Sequence, residues 1–213
     1  MQDADREKRL AAEAAAQLVP DGARVGLGTG STVAYLLPAL AARGLDVRCV
    51  ATSAATERAA RDVGLALSTL DELGRLDIAI DGADQVDPAG WLVKGGGGAH
   101  TREKIVAAAA DRFVVVVSSD KLVDALHPPI PLEVLRFGAA ATLAAVAPAE
   151  LRDASPSPDG NLIADYLGPI DDPRALAARL AAAPGVVEHG LFPPELVTEV
   201  LIGRGAEVER VAT

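Results

Sequence analysis

The chain has 213 residues, half of them hydrophobic and only 3% aromatic, with a formal net charge of −10. This is a globular composition with an aliphatic core, large enough for one domain or two, and not a disordered one. The acidic balance speaks against nucleic acid, no apolar run approaches membrane-spanning length, and the mixed-charge start (Met1 to Arg9) lacks a secretory pattern, so a cytoplasmic protein is expected.

In chain order, Leu10, Ala14 and Leu18 recur at helical spacing from Asp5 to Val19, and Pro20-Asp21-Gly22 stops that helix. Arg24 to Leu27 is a short strand that runs into Gly28-Thr29-Gly30-Ser31-Thr32 and a helix from Val33 to Arg43. Strand, glycine-rich turn and helix form a phosphate-binding layout, because N–H groups and the helix dipole favour an anion there. The spacing fits neither a dinucleotide fingerprint nor a Walker loop, and an ordinary helix start is an equal reading at this point. Val47 to Ala51 is a second strand carrying the single cysteine, Cys49, read as a buried thiol with no disulfide partner in the chain. The hydroxyl-rich turn Thr52 to Thr56 opens a helix to Val63, and Leu65 to Leu67 is a third strand.

Leu76 to Ile80 is a strand that delivers Asp81-Gly82-Ala83-Asp84 at its C-terminal end, where α/β sheets bind ligands. The aspartates do not have calcium-loop spacing, and by themselves they read as turn formers. Lys94-Gly95-Gly96-Gly97-Gly98 follows, then a helix from Thr101 to Ala110 with Glu103 in its first turn. Glycines permit close backbone approach and can curl their N–H groups into an anion-binding nest. Acidic residues are common in first helical turns, so Glu103 gains meaning only from the loop and lysine beside it. Lysine is scarce: sixteen of the twenty basic residues are arginine, and the lysines are Lys8, Lys94, Lys104 and Lys121. Lysine is the cation whose proton affinity can be tuned, and one of the four flanks the glycine loop.

Phe113 to Val117 reads as the buried centre of a parallel sheet and ends at Ser118-Ser119-Asp120-Lys121. After Pro128-Pro129 the order is strand (Ile130 to Phe137), helix (Ala139 to Val146), strand (Glu150 to Ala154), strand (Asn161 to Leu167), helix (Pro173 to Ala182) and strand (Val186 to Leu191). That βαββαβ order is the ferredoxin-like unit. Val197 to Ile202 and Glu207 to Val211, joined through Gly203-Arg204-Gly205, are expected to return to the first sheet. The expected fold is thus α/β: a Rossmann-like, mostly parallel sheet domain (1–127 and 200–213) and a smaller α+β ferredoxin-like domain (128–199).

Taken as a series, Gly28 to Thr32, Asp81-Gly82-Ala83-Asp84, Lys94-Gly95-Gly96-Gly97, Thr101-Arg102-Glu103-Lys104-Ile105 and Lys121 resemble the A-type ribose-5-phosphate isomerases. Pro184-Gly185-Val186-Val187 and Gly190-Leu191-Phe192 add to a likeness that spans nearly the whole chain. The resemblance implies reversible interconversion of ribose 5-phosphate and ribulose 5-phosphate, a step of the non-oxidative pentose phosphate pathway. Carried over residue by residue, it implies Glu103 as the base, Asp81 as the group handling the hydroxyl proton, Asp84 as its helper, and Lys94 with the glycine N–H groups as the enediolate stabiliser. Substrate would be held by Thr29, Gly30, Ser31, Thr32, Asp81, Gly82, Ala83, Asp84, Lys94, Gly95, Gly96, Gly97, Lys121 and Lys8. This chemistry needs a fixed carboxylate and oriented donors and no metal or redox cofactor, so none is expected. The expected partners are a small sugar phosphate and further copies of the chain, as a homodimer or homotetramer, with no nucleic acid and no membrane. His100 stands where the family often has an apolar residue, and a helix-capping role is expected for it. A sugar-phosphate sensor without catalysis, or a sugar-phosphate deaminase or lactonase on a similar fold, are the competing readings.

Overall fold

A computed structural model describes residues 2–212. In chain order the elements are α1 (Gln2–Ala16), β1 (Arg24–Leu27), α2 (Ser31–Ala41), β2 (Arg48–Ala51), α3 (Ala54–Asp62), β3 (Ala66–Leu67), α4 (Leu70–Leu73), β4 (Ile78–Asp81), β5 (Gln85–Val86), β6 (Leu92–Val93), α5 (His100–Ala108) and β7 (Phe113–Ser118). There follow β8 (Ile130–Val134), α6 (Ala139–Ala145), β9 (Ala149–Leu151), β10 (Leu162–Tyr166), α7 (Pro173–Ala181), β11 (Val186–His189), β12 (Leu191–Phe192), β13 (Glu199–Arg204) and β14 (Glu207–Ala212). The chain divides into two compact units. One holds the chain as far as Ala83, Arg102–Leu122 and everything from Glu195; the other holds Asp84–Thr101 and Val123–Pro194.

The first unit is built on a seven-stranded sheet of order β14-β13-β7-β4-β1-β2-β3, parallel except for the β13–β14 edge pair. Its interior strand β7 is buried along its whole length, which is why it reads as an unbroken Val run without alternation. Helices α1 and α2 close over the sheet with Ala11, Ala15, Val33, Leu36 and Leu40 fully buried against Val25, Leu27, Ile78, Val114 and Val116. Burying each Val or Leu side chain is worth about 1.5–3 kcal/mol, so this layer is the unit's main source of stability. The chain order reverses at β1, which has β2 on one side and β4 on the other. Such a switch point splays the loops after the two neighbouring strands and opens a crevice at their C-terminal ends. Those loops begin at Gly28 and Asp81. At the opposite end of the same two strands, Arg24 makes a two-pronged ion pair with Asp77, whose pKa is lowered to about 2 by the guanidinium and by the Arg24 backbone N–H.

The second unit has a four-stranded antiparallel sheet of order β11-β8-β10-β9, the ferredoxin-like arrangement expected from the βαββαβ order. A core of Ile130, Leu132, Val134, Ala164, Tyr166, Leu176 and Leu180 lies on it. Beside it stands a small sheet of order β12-β6-β5 that the sequence does not announce. Strands of two residues are too short to show a period. The expected strand Val186 to Leu191 is in fact two: β11 belongs to the four-stranded sheet and β12 to the small one. Gly190 between them donates to the Pro131 carbonyl and accepts from the Lys94 N–H. The strand β8, expected to reach Phe137, ends at Val134, and Phe137 is 93% exposed.

Gly203 was expected in a turn, but it lies within β13, paired with Ser118 and Val208. A glycine is needed there because α1 sits directly on the strand: a Cβ at Gly203 would lie 2.1 Å from the Glu7 carbonyl oxygen. Backbone of this kind gives way only by shifting the helix, and such overpacking costs typically 1–3 kcal/mol. Gly203→Ala is expected to lower the melting temperature by several degrees, at roughly 2–4 °C per kcal/mol for a chain of this size. An unchanged melting curve would show that α1 is not pressed against β13.

Candidate active site

The first unit holds the turn after β1, the end of β4, α5 from Arg102 onward and the turn after β7. Gly28 donates its N–H to the Ile80 carbonyl at 3.0 Å, which brings the β1 loop alongside the end of β4. The Asp81 carboxylate, 3% exposed, accepts the N–H of Thr29 at 3.1 Å and of Gly82 at 2.7 Å. A Cβ on Gly28 would stand 1.9 Å from the Asp81 carboxyl carbon, so this carboxylate can occupy its place only beside a residue without a side chain. The Thr29 hydroxyl is shared with Thr52 at 2.8 Å and Thr56 at 3.4 Å, and Thr56 donates to the Gly28 carbonyl. Thr29 therefore braces the loop through its side chain. Gly30 adopts φ 118 as the N-cap of α2, so the first turn of that helix presents the N–H groups of its opening residues without a side-chain cap.

Glu103 lies in the first turn of α5 and is buried. Lys121 ends the 3-10 turn Ser119–Lys121 and is about one-third exposed, 3.8 Å from Asp120. That turn is fastened by Glu7 of α1, which accepts the Ser119 N–H at 2.9 Å, the Ser119 hydroxyl at 2.8 Å and the Gly205 N–H at 2.7 Å. The Gly205 N–H, followed by the two Ser119 groups, holds the Glu7 carboxyl below the usual range. Its neighbour Lys8 is engaged with Asp5 on the helix itself, at 3.9 Å.

The second unit holds Asp84, Lys94 and the glycine turn. Asp84 is exposed and accepts the Gly96 N–H at 2.8 Å. Lys94, 3% exposed, follows β6; its ammonium stands 5.5 Å from the Phe192 ring centroid, a cation–π arrangement. Gly95 to Gly98 closes as a turn through a 3.0 Å bond from the Gly98 N–H to the Gly95 carbonyl. His100 is fully buried, with Nε2 3.4 Å from the Glu188 carbonyl oxygen. Its ring packs on the loop, since a Cβ on Gly95 would come within 2.6 Å of Nδ1. The side chain is thus part of the loop's support.

Sequence reasoning missed three groups that shape these two sets. Thr52 and Thr56 were seen as a hydroxyl-rich turn but not as partners of Thr29. Glu133, in the middle of β8, accepts hydrogen bonds from Thr101, Ser157 and Asn161, and nothing in an otherwise apolar strand pattern marks it as a hub. Arg152 donates to the glycine turn and is one arginine among sixteen, far away in sequence. Among the described residues no cluster of three or more His, Cys, Asp or Glu could hold a metal ion, and no helix is long and apolar enough to cross a membrane.

Comparison with known proteins decides the family. Residues 48–207 match the sequence profile of ribose 5-phosphate isomerase A (phosphoriboisomerase A). The chain is 47% identical over 224 aligned positions to a ribose-5-phosphate isomerase A of Caulobacter vibrioides, covering 98% of both. The chain belongs to the ribose 5-phosphate isomerase A family. In three dimensions it matches the ribose 5-phosphate isomerase A of Methanocaldococcus jannaschii with a TM-score of 0.92, at 37% identity over 97% of this chain and 98% of that one. A D-ribose-5-phosphate isomerase in complex with phospho-erythronic acid matches with a TM-score of 0.93, at 35% identity over 99% of each chain. The family resemblance read from the motifs is therefore correct, and so is the α/β fold expected with it.

The contact between Gly28 and Asp81 gives a direct test. Gly28→Ala must push the carboxylate out of its place, and a displacement of about 1 Å at a reacting group can cost roughly 10² in rate. The variant is expected to fold, by circular dichroism, and to lose about that factor in isomerase kcat/KM. Normal turnover in the folded variant would show that the Asp81 position does not matter.

Proposed function

We propose that the chain is an isomerase that interconverts ribose 5-phosphate and ribulose 5-phosphate through an enediolate. The observation that carries this reading is 47% identity, over almost the full length of both chains, to a ribose-5-phosphate isomerase A. The residues suit the task. In the open-chain aldose, Glu103 takes the proton from C2, and the C1 carbonyl oxygen acquires the negative charge. The C2 hydroxyl proton is handed to that oxygen through Asp81, and Glu103 returns its proton to C1, leaving a ketone at C2. Every proton taken is returned, so the reaction is a net rearrangement.

Burial makes Glu103 a fixed base, and a positioned base contributes typically 10²–10⁴ in rate. Lys94 and the N–H groups of Gly95 and Gly97 would stabilise the enediolate oxygen, with Asp84 holding the loop in shape through the Gly96 N–H. The opening turn of α2, with Gly30, Ser31 and Thr32, and the Lys121 ammonium would take the phosphate, as backbone N–H groups at a helix start do for anions. Gly82 and Ala83 would border the sugar. Lys8 would add positive charge, moderated by Asp5. A cytoplasmic homodimer or homotetramer is part of the same proposal, and sedimentation as a monomer would remove the assembly from it.

Glutamine at position 103 keeps the shape and hydrogen-bonding reach of glutamate but takes no proton. Glu103→Gln is expected to lower kcat by roughly 10²–10⁴ while substrate affinity, titrated directly, changes far less. Exchange of the substrate C2 hydrogen with deuterated solvent should slow in parallel. If Glu103 only compensates the α5 dipole, the variant will lose at most about 1 kcal/mol of stability and keep its turnover. That outcome would move the search for the base to Asp81 and Asp84.

A further inference from the structure

The glycine turn in the second unit has no side chains with which to fix its own peptide planes, yet an anion cradle works only if those planes are fixed. The fixing group comes from the four-stranded sheet. Arg152 directly follows β9, where its backbone N–H donates to the Ile163 carbonyl of β10 at 2.9 Å. Its guanidinium is locked to Asp165 of β10, Nε donating to Oδ2 at 2.8 Å and Nη2 to Oδ1. The Asp165 carboxylate holds the guanidinium pKa above its ordinary value, and the pair is mostly buried. The remaining nitrogen, Nη1, donates to the carbonyl oxygens of both Gly95, at 3.0 Å, and Gly96, at 3.1 Å.

A trans peptide carries its N–H opposite its carbonyl, and the cis peptides of the described residues lie elsewhere, at Pro128-Pro129 and Ala147-Pro148. Holding the Gly95 carbonyl on Arg152 therefore aims the Gly96 N–H the other way, where Asp84 accepts it at 2.8 Å. That peptide is pinned at both ends. Holding the Gly96 carbonyl on Arg152 likewise turns the Gly97 N–H away from the guanidinium, and Gly97 itself is exposed. Without the guanidinium the Gly96–Gly97 plane could rotate, whereas the Gly95–Gly96 plane would keep its bonds to the Gly98 N–H and to Asp84. A carbonyl oxygen would then face the place where an N–H is wanted, and it repels a negative oxygen.

We propose that Arg152 is a positioning residue for the reaction: it clamps the Gly96 carbonyl so that the glycine turn presents the Gly97 N–H, and not a carbonyl oxygen, to the enediolate, while its bond to the Gly95 carbonyl braces the peptide whose N–H Asp84 holds. This rests on the reading of the turn as the enediolate cradle. Asp165 is the second member of the device, because it fixes the guanidinium in the plane from which one nitrogen reaches both carbonyls. Lysine is a poor substitute, since a single ammonium has no fork with which to serve Asp165 and the loop together.

The test compares Arg152→Met and Arg152→Lys with the unaltered chain, measuring kcat and KM for ribose 5-phosphate and the affinity of phospho-erythronic acid against that of inorganic phosphate. Loss of one well-aimed oxyanion donor costs about 10²–10³ in kcat, and a loosened donor should cost less, so Arg152→Met is expected to lose roughly 10- to 100-fold in kcat. KM should stay within about threefold, because the developing charge is met only in the transition state. The carboxylate ligand should weaken and phosphate binding should hold, and Arg152→Lys should recover part of the loss. A folded Arg152→Met protein with unaltered kcat, or one that loses only in KM, overturns the proposal. Should that variant fail to fold, Asp165→Asn keeps the cation but frees it, and must show the same kcat-selective loss to a smaller degree; unchanged kcat there is equally fatal. The unaltered chain is the control on the underlying reading. If it does not turn over ribose 5-phosphate, the enzymatic assignment falls and takes this proposal with it. If it does and the variants match it, Arg152 alone is removed.

Discussion

Much of the first unit's candidate chemistry depends on one close contact, the Asp81 carboxylate set against the backbone of Gly28. The carboxylate is almost fully buried, and burial of a charge is tolerated only when hydrogen bonds replace the lost water. Those bonds come from the Thr29 and Gly82 N–H groups. They are within reach because β1 and β4 are neighbours at the switch point and because Gly28 has no Cβ to keep the chains apart. The supporting shell follows from the same need: Thr52 and Thr56 hold Thr29 and Gly28 in the shape that the carboxylate requires.

The second unit solves the corresponding problem differently. Its glycine turn is main chain alone, and main chain without side chains is held from behind. Arg152 grips two carbonyls, Asp84 grips one N–H, and the His100 ring fills the space that a Gly95 side chain would occupy. Each is anchored in turn: Arg152 by Asp165 and His100 within reach of the Glu188 carbonyl. Glycine gives the loop its freedom, and distant polar side chains take that freedom away again. The entropy that glycine loses on folding is offset by these bonds, which is why the loop can be both bare and ordered.

Buried charged groups occur away from Asp81, Lys94 and Glu103 as well. Glu7 ties the N-terminal helix to the turn bearing Lys121, and Glu133 gathers Thr101, Ser157 and Asn161 from separate segments. Both are carboxylates with several donors, so both give up hydration without being left unsatisfied. They show how segments far apart in sequence are fixed to one another by polar contacts as well as by apolar packing.

The strongly periodic or strongly apolar stretches were legible directly from the sequence. The valine-rich strand β7 has to be interior because only burial on both faces suits it, and the βαββαβ order leads to the β11-β8-β10-β9 sheet because each element is long enough to show its period. The motif residues were legible as types: a glycine run before a helix, aspartates at a strand end, a lysine where arginine is the rule. What tertiary structure alone decided was how those types are held. Two-residue strands carry no period, so the β12-β6-β5 sheet was invisible. Gly203 looked like a turn glycine until α1 was found resting on it. Arg152, Glu133, Thr52 and Thr56 act over separations of 23 to 57 residues, at distances set by strand pairing and loop closure. Local sequence specifies which groups are available, because propensity and burial are properties of short segments. Their pairing depends on which backbones the folded sheets bring within 3 Å of one another, and that is a property of the whole chain.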